Sequence, residues 1–459
     1  MTTLQSTRIG PPIEVDERLL EDIRLLIKEQ AQGMLRNLLV DLYPVDVALL
    51  LEHLSLEEAR SIFRLLPQTF AAEVIAELEG ALREHLLEDL SPHAIADLLD
   101  ELDTDDVADV VAELPEAVQD SVLAELEDAE DVRELLSFGE ETAGGIMGTE
   151  YIAVPTDATV EEATEEVRRQ ADVVDPLHVV FVTDAEGRLE GLLPLKALLL
   201  HPAHTPVREI MDREVISVTP EMDQEEVARI MEKYDLVVLP VVQEDKRLLG
   251  RITVDDVLDV IREEVEEDIY HIGGTGDESW SDSLFKVSRG RLPWLFLGLI
   301  GTLFSGFVVS LFQASLQEAV VLATFIPIMT AMAGNAAIQS SAITVQGLVS
   351  GRLWSSDLWR RLLREMGVAV VNGLILATLL SFVILISGLA GERTLRLAVT
   401  AGISLLMVVL LATTNGAFIP LILHRLGIDP AVSMGPFVTT ANDILGLAIY
   451  FIVATQIYL

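Results

Sequence analysis

The chain has 459 residues, with 31 Lys+Arg against 74 Asp+Glu, a formal net charge of −43 and a hydrophobic share of 50%. So large an acidic excess repels nucleic acid and anionic lipid surfaces and favours cations as partners. The sequence contains no cysteine, which excludes disulfides and thiolate metal sites and leaves carboxylates as the ligands on offer.

The charge is unevenly placed. Residues 291–459 hold 8 basic and 6 acidic side chains, so residues 1–290 carry a net −45. The first part reads as soluble and acidic, the second as apolar and near neutral. No basic start followed by an apolar core opens the chain, so no cleaved signal peptide is expected and the acidic part is expected in the cytoplasm.

Residues 17–140 predict an acidic helical superhelix. Punctuation recurs at Pro44, Ser55, Pro67, Gly80, Pro92, Thr104, Pro115 and Asp128, in steps of 11 to 13 residues, around apolar runs such as VALLLEHL and VADVVAEL. Each unit is too short to stand alone, so neighbouring helices must stack. A solvated outer face accounts for most of the carboxylates.

Residues 146–206 and 207–254 change to alternating strand and helix and repeat one another. Tyr151–Val167 matches Val215–Met231 at an offset of 64, and the following strands match at about 59. Two β-α-β-type units follow from the β-branched runs and their turns, and they resemble a tandem pair of CBS domains. Such pairs bind adenine nucleotides through a pattern like G-x-x-[ST]-x-x-D. The second copy has it as Gly250, Thr253 and Asp256, whereas the first has Gly191, Pro194 and Ala197. The resemblance therefore allows one ATP site. In the plainer reading Gly250 serves the tight turn between two strands.

The helix at 255–272 places Val257, Leu258, Ile261, Val265 and Ile269 on one side and Asp255, Asp256, Asp259, Glu263, Glu266 and Glu267 on the other. A solvated face explains such a stripe, but its like charges repel. Divalent cations would relieve that repulsion. A linker is expected at 273–291.

Five membrane helices are predicted within 292–459: Leu292–Phe312, Ala319–Thr344, Val368–Leu389, Leu397–Leu423 and Pro436–Ile457. Arg352, Arg360, Arg361 and Arg364 are assigned to the second loop, and basic residues also precede the first helix. This puts the N-terminus inside and the C-terminus outside, with Arg393 and Arg396 as an exception. The second and fifth helices read as polar and interrupted. The fifth carries Asp443 beside Thr439, Thr440 and Asn442, with no Lys or Arg in the span. A carboxylate at membrane depth costs about 2.5–3.5 kcal/mol and calls for a cation. An aspartyl protease would need two such aspartates, and an anion channel would need a basic pathway. A non-enzymatic cation pathway is left, passive or coupled to Na⁺ or H⁺.

From end to end, this order of acidic superhelix, CBS pair, connecting helix and five membrane helices resembles the MgtE family of magnesium channels and transporters. FIPIMTAMAGNAAIQSS in the second membrane helix and LHRLGIDPAVSMGPFVTTANDILG leading into the fifth carry the most specific matches. The resemblance implies a multidomain membrane protein: an all-α five-helix transmembrane domain, a cytosolic α-superhelical domain and an α/β CBS pair. It also implies a plasma-membrane homodimer, embedded in lipid, with a pore on its twofold axis. Asp443 would hold Mg²⁺, with Asn335, Gln339, Thr439 and Thr440 lining the pore, Asp429 at the cytoplasmic mouth and Glu318 near the outer entrance. The acidic connecting helix would plug the pore when intracellular Mg²⁺ is high. The sensing carboxylates implied are Glu73, Asp105, Asp109, Asp223, Glu225, Asp235, Asp256, Asp259, Glu264, Glu267 and Asp268. Many relatives have GNxxNQS where this chain has GNAAIQS, with Ile338 in place of the second Asn, which leaves selectivity among Mg²⁺, Mn²⁺ and Co²⁺ open.

Overall fold

Helix starts fall on the punctuation. The computed structural model describes residues 16–78, 80–171, 174, 176–273, 284–349, 358–426, 428, 430 and 436–459. Its helices are α1 (Glu17–Lys28), α2 (Gln32–Val40), α3 (Pro44–Glu52), α4 (Leu56–Phe63), α5 (Gln68–Ala76), α6 (Gly80–Leu87), α7 (Pro92–Leu99), α8 (Thr104–Glu113), α9 (Glu116–Leu123) and α10 (Ala129–Leu135). Pro44 and Pro92 open α3 and α7, where a missing N–H costs nothing. Ser55 and Glu58 form a reciprocal capping box on α4. No helix of this length is stable alone, so α3 packs on α5, α5 on α7, α7 on α9, α4 on α6 and α8 on α10. Their inward Leu, Val and Ile side chains make one core that continues into the second CBS unit through Val218, Val227, Met231, Leu239 and Ile252.

The first CBS unit runs β1 (Ala153–Pro155), α11 (Val160–Gln170), β2 (Val179–Thr183), β3 (Leu189–Pro194) and α12 (Leu195–Leu200). α11 is the crossover between parallel β1 and β2, and β3 returns antiparallel to β2. The second unit has α13 (Gln224–Tyr234), β4 (Val238–Val242) and β5 (Leu248–Thr253), with β4 antiparallel to β5. Its expected first strand is reduced to a single parallel bridge, Val218 to Val241. Proline chemistry explains the difference. In the first unit Phe181 N–H donates to the Ile152 carbonyl, 2.8 Å. Pro240 holds the equivalent place in the repeat and has no N–H to give. Gly250 lies inside β5 rather than in a turn, which corrects the plainer reading of it. A β-carbon there would stand 2.6 Å from the Gly148 carbonyl oxygen, so glycine is required by close backbone approach. α14 (Val254–Gly273) follows directly.

The chain folds as two bodies, Met1–Glu263 and Glu264–Leu459. The second contains α15 (Leu284–Leu311), α16 (Gln313–Glu318), a 3-10 turn (Val320–Phe325), α17 (Ile326–Val349), α18 (Leu358–Ser387), α19 (Thr394–Arg425) and α20 (Pro436–Ile457). Among its described residues, five helical spans are long and apolar enough to cross a membrane. The fifth keeps the expected bounds of Pro436–Ile457, whereas the first and third begin well before the apolar runs that announced them. α15 begins at Leu284, within the expected linker, and Arg360, Arg361 and Arg364 lie in the first turns of α18 rather than in a loop. The interruption in the second span is confined to its start, where the 3-10 turn gives way to α17 one residue before Pro327. α20 is continuous. α19 packs on α17, α18 and α20, and α15 lies on α20. Small residues permit this: Gly416 meets the Ala337 backbone, and Gly301 faces Thr440.

Candidate metal centre and membrane site

The start of α8 builds the acidic site. Asp103 occupies the N-cap position but makes no side-chain cap bond. The cap comes instead from Glu150, whose Oε1 accepts from Thr104 N at 2.9 Å and whose Oε2 accepts from Thr104 Oγ1 at 3.1 Å. Thr104 Oγ1 also accepts from Thr149 N at 2.9 Å. These bonds pin the segment entering the first CBS unit onto α8. Donor oxygens of Asp103, Asp105 and Glu150 then lie within 4.8 Å of one another, a spacing one cation can bridge. Asp105 Oδ1 is buried with no hydrogen-bond partner, an arrangement that costs free energy unless a cation or proton occupies it.

Electrostatics point the same way. Burial pushes the Asp105 carboxyl well above the usual range, with Asp256, Asp106, Glu150 and Asp103 adding to the rise. Burial, then Glu150, raises Asp103 to about 6. Asp106 is raised to about 7 and Asp109 to about 6, burial first in each case. Both of these side chains are exposed to water, which screens them, so the strain concentrates at Asp103 and Asp105. Asp256 is raised by burial while two hydrogen bonds from Thr253 hold it down. Those bonds, 2.7 Å from Thr253 N and 2.8 Å from its hydroxyl, make Thr253 and Asp256 the capping pair of α14. Two residues of the nucleotide pattern, Thr253 and Asp256, are thus bonded to each other.

Of the sensing carboxylates implied by resemblance, Asp105, Asp109 and Asp256 share this neighbourhood. Glu73 is exposed on α5. Asp259 on α14 acts on Glu77, the C-cap of that helix, adding to the rise that burial gives it; it is also 3.8 Å from Arg262. Asp223 and Asp235 do not join them as one site. Asp223 caps the start of α13 by accepting from Glu225 N, 3.0 Å, while Asp235 closes its end in the left-handed region at φ 54°. An 11-residue helix separates these carboxylates by roughly 16 Å, too far for one ion. Glu225 is 3.2 Å from Arg229. Glu264 and Glu267 lie on α14, and the Asp268 side chain falls outside those described. Asp103, Asp106 and Glu150 were not singled out from the sequence. The DTDD run at 103–106 signals the first two, but nothing local signals Glu150.

In the membrane body α20 holds Asp443 part-exposed beside Asn442, which is fully buried. Asn442 Nδ2 donates to the Val438 carbonyl at 2.7 Å, and its Oδ1 accepts from Asn415 Nδ2 of α19 at 3.2 Å. This locks the rotation of α20 next to Asp443. Thr439 and Thr440 pack against the glycine faces of α17 and α15 at Gly334 and Gly301. Asn335 and Gln339 are both exposed on one stripe of α17, with Ile338 39% exposed beside them, while Ser340, Ser341 and Thr344 turn inward. Glu318 ends α16, exposed; Asp429 lies outside the described residues. A charged clamp also went unforeseen. Glu365 of α18 is 6% exposed, accepts from Ser340 Oγ at 2.9 Å and pairs with Arg361 at 2.8 Å.

Three sequence profiles match the chain: the divalent cation transporter MgtE over residues 326–453, the MgtE intracellular N domain over 42–141, and the CBS domain over 143–204 and 207–263. The magnesium transporter MgtE of Thermus thermophilus is 36% identical over 449 residues, covering 96% of this chain and 98% of that protein. That of Enterococcus faecalis is 35% identical over 329 residues, 72% of each. The crystal structure of the cytosolic domain of the Mg²⁺ channel MgtE in complex with ATP is 36% identical, with a TM-score of 0.50, over 52% of this chain and 99% of that one. With the superhelix, the CBS pair and the five apolar helices in the same order, the chain belongs to the MgtE family.

Proposed function

We propose that the chain is a Mg²⁺-selective, passive channel that imports magnesium across the plasma membrane and closes when intracellular Mg²⁺ fills its acidic sites. The observation that carries this is Asp443, part-exposed on a helix apolar enough to span a membrane and without Lys or Arg in that span. Hydrocarbon does not tolerate such a group, nor the exposed amides of Asn335 and Gln339 on α17. A water-filled path lined by these helices satisfies both. A second copy of the chain, closing the path around a pair of Asp443 carboxylates, suits an ion that keeps most of its water and takes one or two carboxylates. Closure begins at the Asp103–Asp105–Glu150 cluster, whose repulsion a divalent cation relieves, and involves α14, which carries Asp256 and precedes the membrane helices in chain order. Family membership and likeness to magnesium transporters support the choice of ion, and the CBS pair is the place for ATP as a second effector. The superhelix and CBS pair sit in the cytoplasm on this reading, and the C-terminus outside.

Mg²⁺ flux into liposomes carrying the full chain, with no Na⁺ or H⁺ gradient, tests it. Flux in the wild type that Asp443→Ala abolishes is the expected result. Flux that starts only under a Na⁺ or H⁺ gradient assigns coupled transport instead, and equal flux in both proteins removes Asp443 from the path.

A further inference from the structure

One buried basic residue has its backbone bonded directly beside the acidic cluster. Arg251 on β5 is 4% exposed. Its backbone exchanges two hydrogen bonds of 2.9 Å with Gly148, the residue just before Thr149 and Glu150. Gly148 lies against the cluster: a β-carbon there would stand 3.0 Å from Glu150 Oε2 and 3.5 Å from both Asp105 oxygens. The Arg251 Nη1 donates to the Pro176 carbonyl at 3.0 Å, which anchors the guanidinium without consuming a carboxylate. While burial raises Asp103 and Asp256, Arg251 is the cation that opposes the rise at both. Arg83 lies on the other flank. It is 3.4 Å from Glu113, donates to the Ala76 carbonyl at 3.1 Å, and acts on Asp109.

We propose that Arg251 is a resident cation that sets the affinity of the Asp103, Asp105, Glu150 and Asp256 cluster for a divalent cation, holding it weaker than these carboxylates alone would give. The proposal rests on the reading of this cluster as the regulatory cation site, which the orphaned Asp105 Oδ1 and the converging donor oxygens support independently of Arg251. A fixed positive charge repels an arriving dication twice as strongly as a monocation at the same distance. It also neutralises part of the cluster while the site is empty, so the cation-free state persists. The cluster then responds at higher Mg²⁺ than it would without the guanidinium.

The full chain in detergent micelles, titrated with Mg²⁺ alone, provides the test. Hydrogen exchange of the backbone amides of residues 103–109 gives a half-protection concentration. Arg251→Met should lower that concentration by about tenfold, and Arg251→Lys should leave it within about twofold of wild type. Arg251→Gln is polar but uncharged and should behave as the Met variant does, which separates charge from polarity should the Met variant fold poorly. Equal midpoints for wild type, Met and Gln, or the same shift in Lys as in Met, would overturn the proposal. Asp105→Asn separates the two readings. If it raises the midpoint while Arg251 variants do nothing, the cation site stands and the role of Arg251 falls. If the wild type shows no Mg²⁺-dependent protection, or Asp105→Asn leaves it unchanged, the cluster itself is no cation site.

Discussion

Asp105 shows how one carboxylate is placed at odds with folding. Its Oδ1 is buried and unpaired, and four neighbouring carboxylates add to the upward push of burial on its carboxyl. Asp105→Asn removes that charge while keeping the shape. In a chelator the variant is expected to be more stable than wild type by about 1–2 kcal/mol. In millimolar Mg²⁺ the order should reverse, because the wild type gains binding free energy that the amide cannot match. Thermal unfolding of both proteins with and without Mg²⁺ checks this, and an unchanged order would remove Asp105 from any cation site. Asp223 and Asp235 contrast with it: each already ends α13, the first as its N-cap and the second in a left-handed turn that Asp tolerates.

Among the elements, α17 and α18 are joined by charge. The Ser340–Glu365–Arg361 chain ties the inward face of α17 to the first turns of α18, opposite the stripe that exposes Asn335 and Gln339. Removing one member of a buried pair strands the other charge. Glu365→Leu alone is therefore expected to cost about 3–5 kcal/mol, and the Arg361→Leu, Glu365→Leu double variant distinctly less. Thermal stability in detergent measures both. A double variant as damaged as the single one would show that the two residues act separately. The pair was not read from the sequence, although the i,i+4 spacing in RRLLRE is a local signal for it; nothing local signals Ser340, because that bond joins residues 25 apart in chain order.

Across the whole molecule, the acidic excess becomes a pH-dependent property. Asp103 at about 6, Asp106 at about 7 and Asp109 at about 6 all lie above the ordinary 3.8, with burial the leading cause. Between about pH 4 and 7 the folded chain therefore holds protons that the unfolded chain has released, so stability falls as pH rises through that window. Water around Asp106 and Asp109 reduces their share. Unfolding midpoints without divalent cation should fall from the acidic to the neutral end, and millimolar Mg²⁺ should restore stability at the neutral end and do little at the acidic end. Midpoints that rise with pH in the absence of Mg²⁺ would contradict the raised carboxyls.

The sequence by itself determined what depends on neighbours along the chain. Pro, Ser, Gly, Thr and Asp punctuation marked the starts of α3 to α10, β-branched apolar runs closed by turn residues marked the strands, and apolar length marked the five membrane spans. Capping, periodicity and transfer free energy act within a turn or two, so local residues suffice to read them. They did not place helix ends where charged residues continue the helix, as in α18, nor foresee that Pro240 reduces a strand to one bridge. Only the tertiary structure decided which carboxylates meet. Glu150 reaches Thr104 from 46 residues away, and Arg251 comes to the same place on a strand of the second CBS unit. Chain order carries no record of such encounters, because they arise from packing that brings distant segments face to face.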